Sequence, residues 1–525
     1  MIARRRWASA REELGFLMAL ALLLSSCGGT VSGPTEAPAP EEIVGSRGFA
    51  INIAELDPSL VLDNNHDIMF NIYETLTFWD PEKGILPKLA TSWEPNEDAT
   101  EWTVHLREGV KFQDGTPLTA EAVKFSFERT IEMGALAYIF AAVQEIQVID
   151  DLTVKLILSY PTPMDKIMAD GYGAFIMSPT MAGKGPEWFG AGNGIGTGPY
   201  KIESYEPGKS LVLTRNADYW GGWSEGQFTK VVYNVVEDPS VMVQMLLGGE
   251  LDIADQVPYD AYEALEASNI VTPMGAPAFA NIMQFIRTTN PPFDDVRVRQ
   301  ALAYSFPYED VQVGTYGGLG TVARSAIPKS MWESPVTIRT YQHDLNKAKA
   351  LLEEAGHGDG LVADILLIAG RSEELRAAEI WQGELAKIGV NLKIEQVSMS
   401  AVWDEVFNDD SSSDIHTITM WPGYTSPSEF ICSLFHSEWT FNPFARYSNP
   451  EFNQLCEQAT GIEAVDPEAA DQIYAEAVQL LYDDVPAIFP LDTPWSWVVR
   501  NDIDGFEVNP LYMDVAFWYD LRRGK

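Results

Sequence analysis

One apolar run decides where this chain can fold. Residues 14–24 (LGFLMALALLL) follow Arg4, Arg5, Arg6 and Arg11. The run is too short to span a bilayer as a helix, which takes about 20 apolar residues. It has the size of an export signal's core, preceded by a basic region in which the arginines outnumber Glu12 and Glu13. No later stretch is long and apolar enough to cross a membrane. The bulk of the chain is therefore expected to fold in the aqueous phase on the far side.

The run ends in Leu24-Ser25-Ser26-Cys27-Gly28. A small residue before a cysteine, with leucine three places back, resembles the bacterial lipoprotein box. That resemblance implies a signal peptide at 1–26, lipid attachment at Cys27 and an extracytoplasmic protein held to the cell membrane by its N-terminal anchor. Residues 27–42 are rich in Gly, Pro, Ala and Glu with almost nothing to bury, which reads as a flexible tether.

The net charge of -41 becomes -43 once the signal, with four arginines and two glutamates, is removed. A surface that negative repels phosphate backbones, so a nucleic-acid partner is excluded. With 46% hydrophobic residues in 525, the chain can bury a large core, and its length suggests two to four domains. Only Cys432 and Cys456 follow Cys27. In an exported protein two cysteines can pair, and the sequence leaves open whether these do.

Patterning beyond the tether is mixed. Alternation at 49–53 reads as a buried strand, helical spacing runs through Ile68, Ile72, Tyr73 and Leu76, and strands are expected at 101–106 and 110–112. A glycine cluster from Gly192 to Gly198 marks a hard break. Strands at 201–205, 211–214 and 231–235 and a helix at 240–247 follow. The second half carries amphipathic helices at 296–304, 345–355, 375–388 and 469–482, with a strand at 390–396.

Catalytic and metal signatures are missing. The six histidines (66, 105, 343, 357, 416, 436) share no metal-ligand spacing, and there is no nucleophile elbow or phosphate loop. Gly194-Ile-Gly196-Thr-Gly198 runs into Pro199-Tyr200 and a strand, where a dinucleotide site needs a helix. The acidic segment 408–414 lacks the glycine and glutamate of a calcium loop. The expectation is a protein without cofactor or metal, and not an enzyme.

A set of ordered motifs then carries a resemblance. It comprises Leu86-Pro-Lys-Leu-Ala-Thr-Ser-Trp93, Trp102-Thr-Val-His-Leu-Arg107 through Ala120, Gly196-Thr-Gly-Pro-Tyr200, Arg215-Asn-Ala-Asp-Tyr-Trp220, Gly249-Glu-Leu-Asp252-Ile253, Pro292 through Leu302, and Tyr447 through Phe452. In this order they resemble the family 5 extracellular solute-binding proteins that serve peptide, nickel and related ABC importers. The resemblance implies an α/β, two-lobed periplasmic-binding-protein clamp (class II-like) with an extra inserted domain. One lobe would combine 43–76, 196–278 and 493–525, with the smaller domain 77–195 inserted, and the other would be 279–492. Trp93, Trp102 and Trp220 fall in scaffold motifs. The implied partners are a small-molecule ligand, peptide or oligosaccharide, and an ABC permease, with the protein itself a monomer.

The motif that bears on the ligand is Thr419-Met-Trp421-Pro-Gly423-Tyr424-Thr-Ser-Pro427. Peptide-binding relatives hold the peptide ammonium on an aspartate in this stretch. Here the stretch is one residue shorter, and Gly423 stands where that aspartate is expected. Asp492 is the alternative carboxylate. Tyr138, Trp421, Tyr424, Trp495 and Trp497 are the aromatic cleft candidates, for stacking on sugar rings or receiving apolar side chains.

Overall fold

The computed structural model describes residues 42–49, 53, 55–60, 65–408 and 413–524. Cys27, the signal and nearly all of the tether lie outside the described residues, as do residues 50–52 of the first expected strand.

Three sheets organise the molecule. The largest has seven strands in the order Val271–Ala276, Trp495–Arg500, Ile253–Asp255, Val44–Phe49, Lys230–Val235, Ser210–Arg215 and Tyr200–Glu206. Its central strand Val44–Phe49 runs parallel to both neighbours, and the outer pairs are antiparallel. A four-stranded antiparallel sheet is built from Ala90–Pro95, Glu101–Leu106, Thr153–Leu158 and Val143–Asp150. The third sheet orders Thr321–Val322, Ala487–Asp492, Asn281–Ile286, Ile415–Met420, Leu361–Ile368 and Val390–Val397.

Local chemistry sets the elements. Asn281–Ile286 and Ile415–Met420 lie in the middle of the third sheet and are buried along nearly their whole length, so they read as continuous rather than alternating runs. Leu361–Ile368 and Val390–Val397 pair in parallel and are joined by the helix Ser372–Lys387, the crossover that a parallel pair requires. The helix Pro239–Gly248 starts on Asp238, whose side chain accepts from the amides of Ser240 and Val241, and stops at Gly249 in the left-handed conformation. In the glycine cluster, a Cβ on Gly196 would sit 2.1 Å from the carbonyl oxygen of Ile72. Glycine is needed there because two backbones touch.

The seven-stranded and six-stranded sheets are tied by two short connections side by side. Residues 277–280 lead from one sheet to the other, and residues 493–494 lead back. The amide of Thr493 donates to the carbonyl of Ala280 at 2.9 Å, so the two crossings are bonded to each other. The chain thus has two lobes and a narrow double strand between them. Buried charge stiffens the first lobe: Arg47 pairs with Asp67, reaches Asp255 Oδ1 at 3.2 Å and donates to the carbonyl of Asp514 at 2.9 Å. In the second lobe Cys432 and Cys456 are joined by a disulfide, with their Cα atoms 5.7 Å apart.

Candidate ligand site

A cavity of about 370 Å³ lies where the four-stranded body meets the six-stranded lobe. Ala135, Tyr138 and Tyr172 line it from the first side. Ile368, Arg371, Met399, Trp403, Phe407, the strand end 418–420, Trp421, Gly423, Glu429, Phe430, Leu434 and Phe441 line it from the second. Such a volume is near the low end of the range for ligand sites, about 300–1,000 Å³. The walls are mostly apolar. Trp403 stacks on Phe407 at 5.6 Å between ring centroids, and Trp403 lies 6.3 Å from Phe441.

The two sides touch around this space. The indole Nε1 of Trp421 donates to the hydroxyl of Tyr172. Tyr138 meets Phe441 edge to face at 5.4 Å. Lys166 Nζ reaches Glu463 Oε1 at 2.7 Å. The π-turn Ser428–Cys432 that follows Pro427 turns Glu429 and Phe430 toward the cavity.

The charged groups here are few: Glu429 and Arg371 on the wall, and Asp170 behind Gly423. Asp170 is fully buried. Its Oδ1 accepts the amides of Tyr172 and Gly173 at 2.6 and 3.0 Å, while Oδ2 has no hydrogen-bond partner among the described residues. A Cβ built on Gly423 would stand 2.2 Å from that Oδ2. The carboxylate therefore occupies the volume that a side chain at 423 would need. Burial pushes Asp170 up to about 6, with its two amide donors and His66 pulling the other way. Burial, and then the charge of Asp170, push Glu429 up to about 8, partly offset by the Gly423 amide and the Tyr424 hydroxyl. Among the described residues, the cation on the walls is Arg371, 3.7 Å from Glu374 Oε1.

The residues singled out from sequence divide three ways. Tyr138, Trp421 and Gly423 line the cavity. Tyr424 sits behind the wall and packs against the core of the four-stranded body, and Trp495 packs with Trp421 on Ala278, Ala280 and Met513. Trp497 is fully buried, donates to the carbonyl of Met513 at 2.8 Å and lies under the Arg47 guanidinium, 4.7 Å from its ring centre. That makes it scaffold. Asp492 lies beside the inter-lobe connection. Its carboxylate accepts from Asn281 Nδ2 at 3.2 Å and the Lys329 amide at 3.0 Å, and it faces a separate depression that it shares with Gly275, Gly320 and Thr493. The carboxylates on either side of Gly423, Glu429 on the cavity wall and Asp170 buried behind the glycine, carry no signal in the sequence reading. Asp170 stands in Ala169-Asp170-Gly171-Tyr172-Gly173, where only its turn chemistry is visible in sequence.

Two lobes on a double strand, with a mainly apolar cavity at their contact, define a clamp for a small solute. Residues 84–442 match the model of the bacterial extracellular solute-binding proteins, family 5 (middle region), and the chain belongs to that family. It is 29% identical over 482 residues to the probable D,D-dipeptide-binding periplasmic protein of Escherichia coli (strain K12), covering 89% of this chain and 92% of that one. Among solved structures, it is similar to an ABC transporter-associated periplasmic binding protein of Helicobacter pylori in complex with the peptide STSA. The TM-score there is 0.81 at 23% identity, over 92% of this chain and 98% of that chain. It is also similar to a Staphylococcus aureus protein in complex with Ni(L-His)2, with a TM-score of 0.79 at 20% identity over 92% and 100% of the two chains. No described helix is long and apolar enough to cross a membrane.

Proposed function

We propose that this chain is the binding component of an ABC importer, that it captures a short peptide between its lobes, and that it hands the peptide to the membrane permease. The observation that carries this reading is the cavity itself, whose walls come from both sides of the cleft and combine apolar surface with Glu429 and Arg371. A peptide carries the matching chemistry, with an ammonium, a carboxylate and side chains to bury. The volume, near the low end of the ligand-site range, favours a short peptide.

The mechanism is differential binding. A ligand touching both walls interacts better with the closed lobes than with the open ones, and it shifts the equilibrium by that difference. The bonded pair of crossings at 277–280 and 493–494 is short enough to act as the hinge. We read the lobes as 43–76 with 196–278 and 493–525 against 279–492, with 77–195 inserted. No bond is made or broken, and the energy for transport comes from the partner ATPase. We place the protein outside the cytoplasm as a monomer, anchored through a lipid on Cys27.

A second reading is an oligosaccharide or a metal chelate. The flat faces of Trp403 and Trp421 at the cavity favour stacking on rings, and the similar Staphylococcus aureus protein holds a nickel–histidine complex. Mass spectrometry of small molecules released from the purified protein on unfolding decides between them. A short peptide supports the first reading, and a sugar or a metal complex replaces it. Intact mass of membrane-extracted protein tests the anchor, since an unmodified N-terminus contradicts it.

A further inference from the structure

Two carboxylates from opposite sides of the cleft converge on Gly423. Asp170 comes from the turn 170–173 of the four-stranded body and is fully buried, with an Oδ2 that has no hydrogen-bond partner among the described residues and stands against the Gly423 backbone. Glu429 comes from the other lobe and lines the cavity that Gly423 also lines. Glycine at 423 is what allows this meeting, because any side chain there would collide with Asp170. We propose that Asp170 and Glu429 form a cradle, split between the two sides, for the cationic end of the ligand, so that closure requires a ligand carrying a positive charge. This deepens the peptide reading above and rests on it for the identity of the cation, a free terminal ammonium.

The physical reasoning is electrostatic. Bringing two carboxylates together in a water-poor cleft costs free energy through desolvation and like-charge repulsion. Burial holds each carboxyl above its ordinary range, and Asp170 raises Glu429 further. An ammonium between them removes both costs and satisfies Oδ2. The neighbours do not do this. His66 lies near enough to act on Asp170, but its ring faces Tyr172 edge-on at 3.7 Å and its Nδ1 is 3.4 Å from Asp514 Oδ2. Lys166 is occupied by Glu463, and Arg371 stands beside Glu374. The aspartate missing from the Trp421 segment is thus replaced from across the cleft. An aspartate on the Trp421 loop would move with its own lobe, whereas this pair is complete only when the lobes meet. The ligand's charge becomes a condition of closing, and neutral ligands are selected against.

The test uses the full chain and the dipeptide Met-Leu in free and N-acetylated forms, titrated calorimetrically into wild type, Asp170→Asn, Glu429→Gln and the double variant. Free Met-Leu should bind wild type about 10- to 100-fold more tightly than the acetylated form, the scale of a hydrogen bond to a charged group. Each single variant should erase most of that ratio. Folded variants that keep the wild-type ratio overturn the cradle. A second arm does not depend on the ligand. Small-angle scattering of the ligand-free double variant should show a more compact particle than ligand-free wild type, because the repulsion that opposes closure has gone. If neither dipeptide binds wild type, the peptide reading fails and the scattering arm decides alone. An unchanged profile then overturns the cradle as well, and compaction sustains it for a non-peptide cation.

Discussion

Lys166 Nζ lies 2.7 Å from Glu463 Oε1, and this ion pair bridges the four-stranded body and the helix Pro450–Glu463 of the opposite lobe. Glu463 is buried, and its second oxygen accepts from Ser426 Oγ at 2.6 Å and from the Tyr474 hydroxyl at 2.8 Å. The carboxylate is therefore held in place from its own lobe and faces a lysine from across the cleft; on the clamp mechanism proposed above, the two meet only as the cleft closes. A contact made only in the closed form sets the rate of opening.

Lys166→Met keeps the aliphatic stem and removes the charge. It should raise the ligand dissociation rate by about 10- to 100-fold, in line with loss of a partly buried hydrogen bond to a charged group. The melting temperature of the ligand-free protein should barely move. Stopped-flow displacement checks this, and an unchanged dissociation rate shows that the pair forms irrespective of closure.

Trp403 projects from the helix Met399–Asn408 and is only partly buried, so removing it opens the cavity without emptying the core. Trp403→Ala should weaken ligands with a large apolar side chain by about 1.5–3 kcal/mol, the value of burying one such group. Ligands with small side chains should lose much less. Calorimetry on Met-Leu against Gly-Gly reads the difference, and equal losses on both would mean that the tryptophan holds the wall and does not contact the ligand.

Three buried carboxyls predict an unusual pH dependence. Burial raises Asp170 to about 6, Asp492 to about 7 and Glu429, helped by Asp170, to about 8. Each folded-state value lies above the unfolded one, so the folded state binds more protons between them and stability falls as pH rises through this range. The ligand-free protein should melt at a higher temperature at about pH 6.5 than at about pH 8. His416 opposes this only below its ordinary value, because burial lowers it and the folded protein keeps it neutral. Glu429→Gln should flatten the slope at the alkaline end. A melting temperature that rises between pH 6.5 and 8 would show that these carboxyls are ionised at no cost.

Elements with strong local signals were legible in the sequence. The strands expected at 201–205, 211–214 and 231–235 are Tyr200–Glu206, Ser210–Arg215 and Lys230–Val235, and the helix at 240–247 is Pro239–Gly248. Alternation, a capping aspartate and a terminal glycine are local facts. The helix Pro450–Glu463 is absent from the sequence reading although Asn449 caps it and Phe452, Cys456 and Ala459 line its buried face, so its signal is present in the sequence. The site was only partly legible. Trp421 and Gly423 could be found because they share one segment with a family motif. Asp170 could not, since it acts on a glycine 253 positions later in the chain, and no local pattern encodes a contact between lobes. Trp497 is buried in the core beneath Arg47, a placement that its position in the sequence does not reveal.

The central claim is that the two lobes close around a small ligand, and small-angle scattering during a titration tests it most directly. Ligand released from the protein as purified, or Met-Leu if that ligand is a peptide, is added in steps to ligand-free protein while binding is followed by calorimetry on the same samples. The radius of gyration should fall in proportion to occupancy and level off at saturation. At about 100 times the dissociation constant the native state should gain about 2.7 kcal/mol of stability. Saturable binding with an unchanged scattering profile would contradict the clamp.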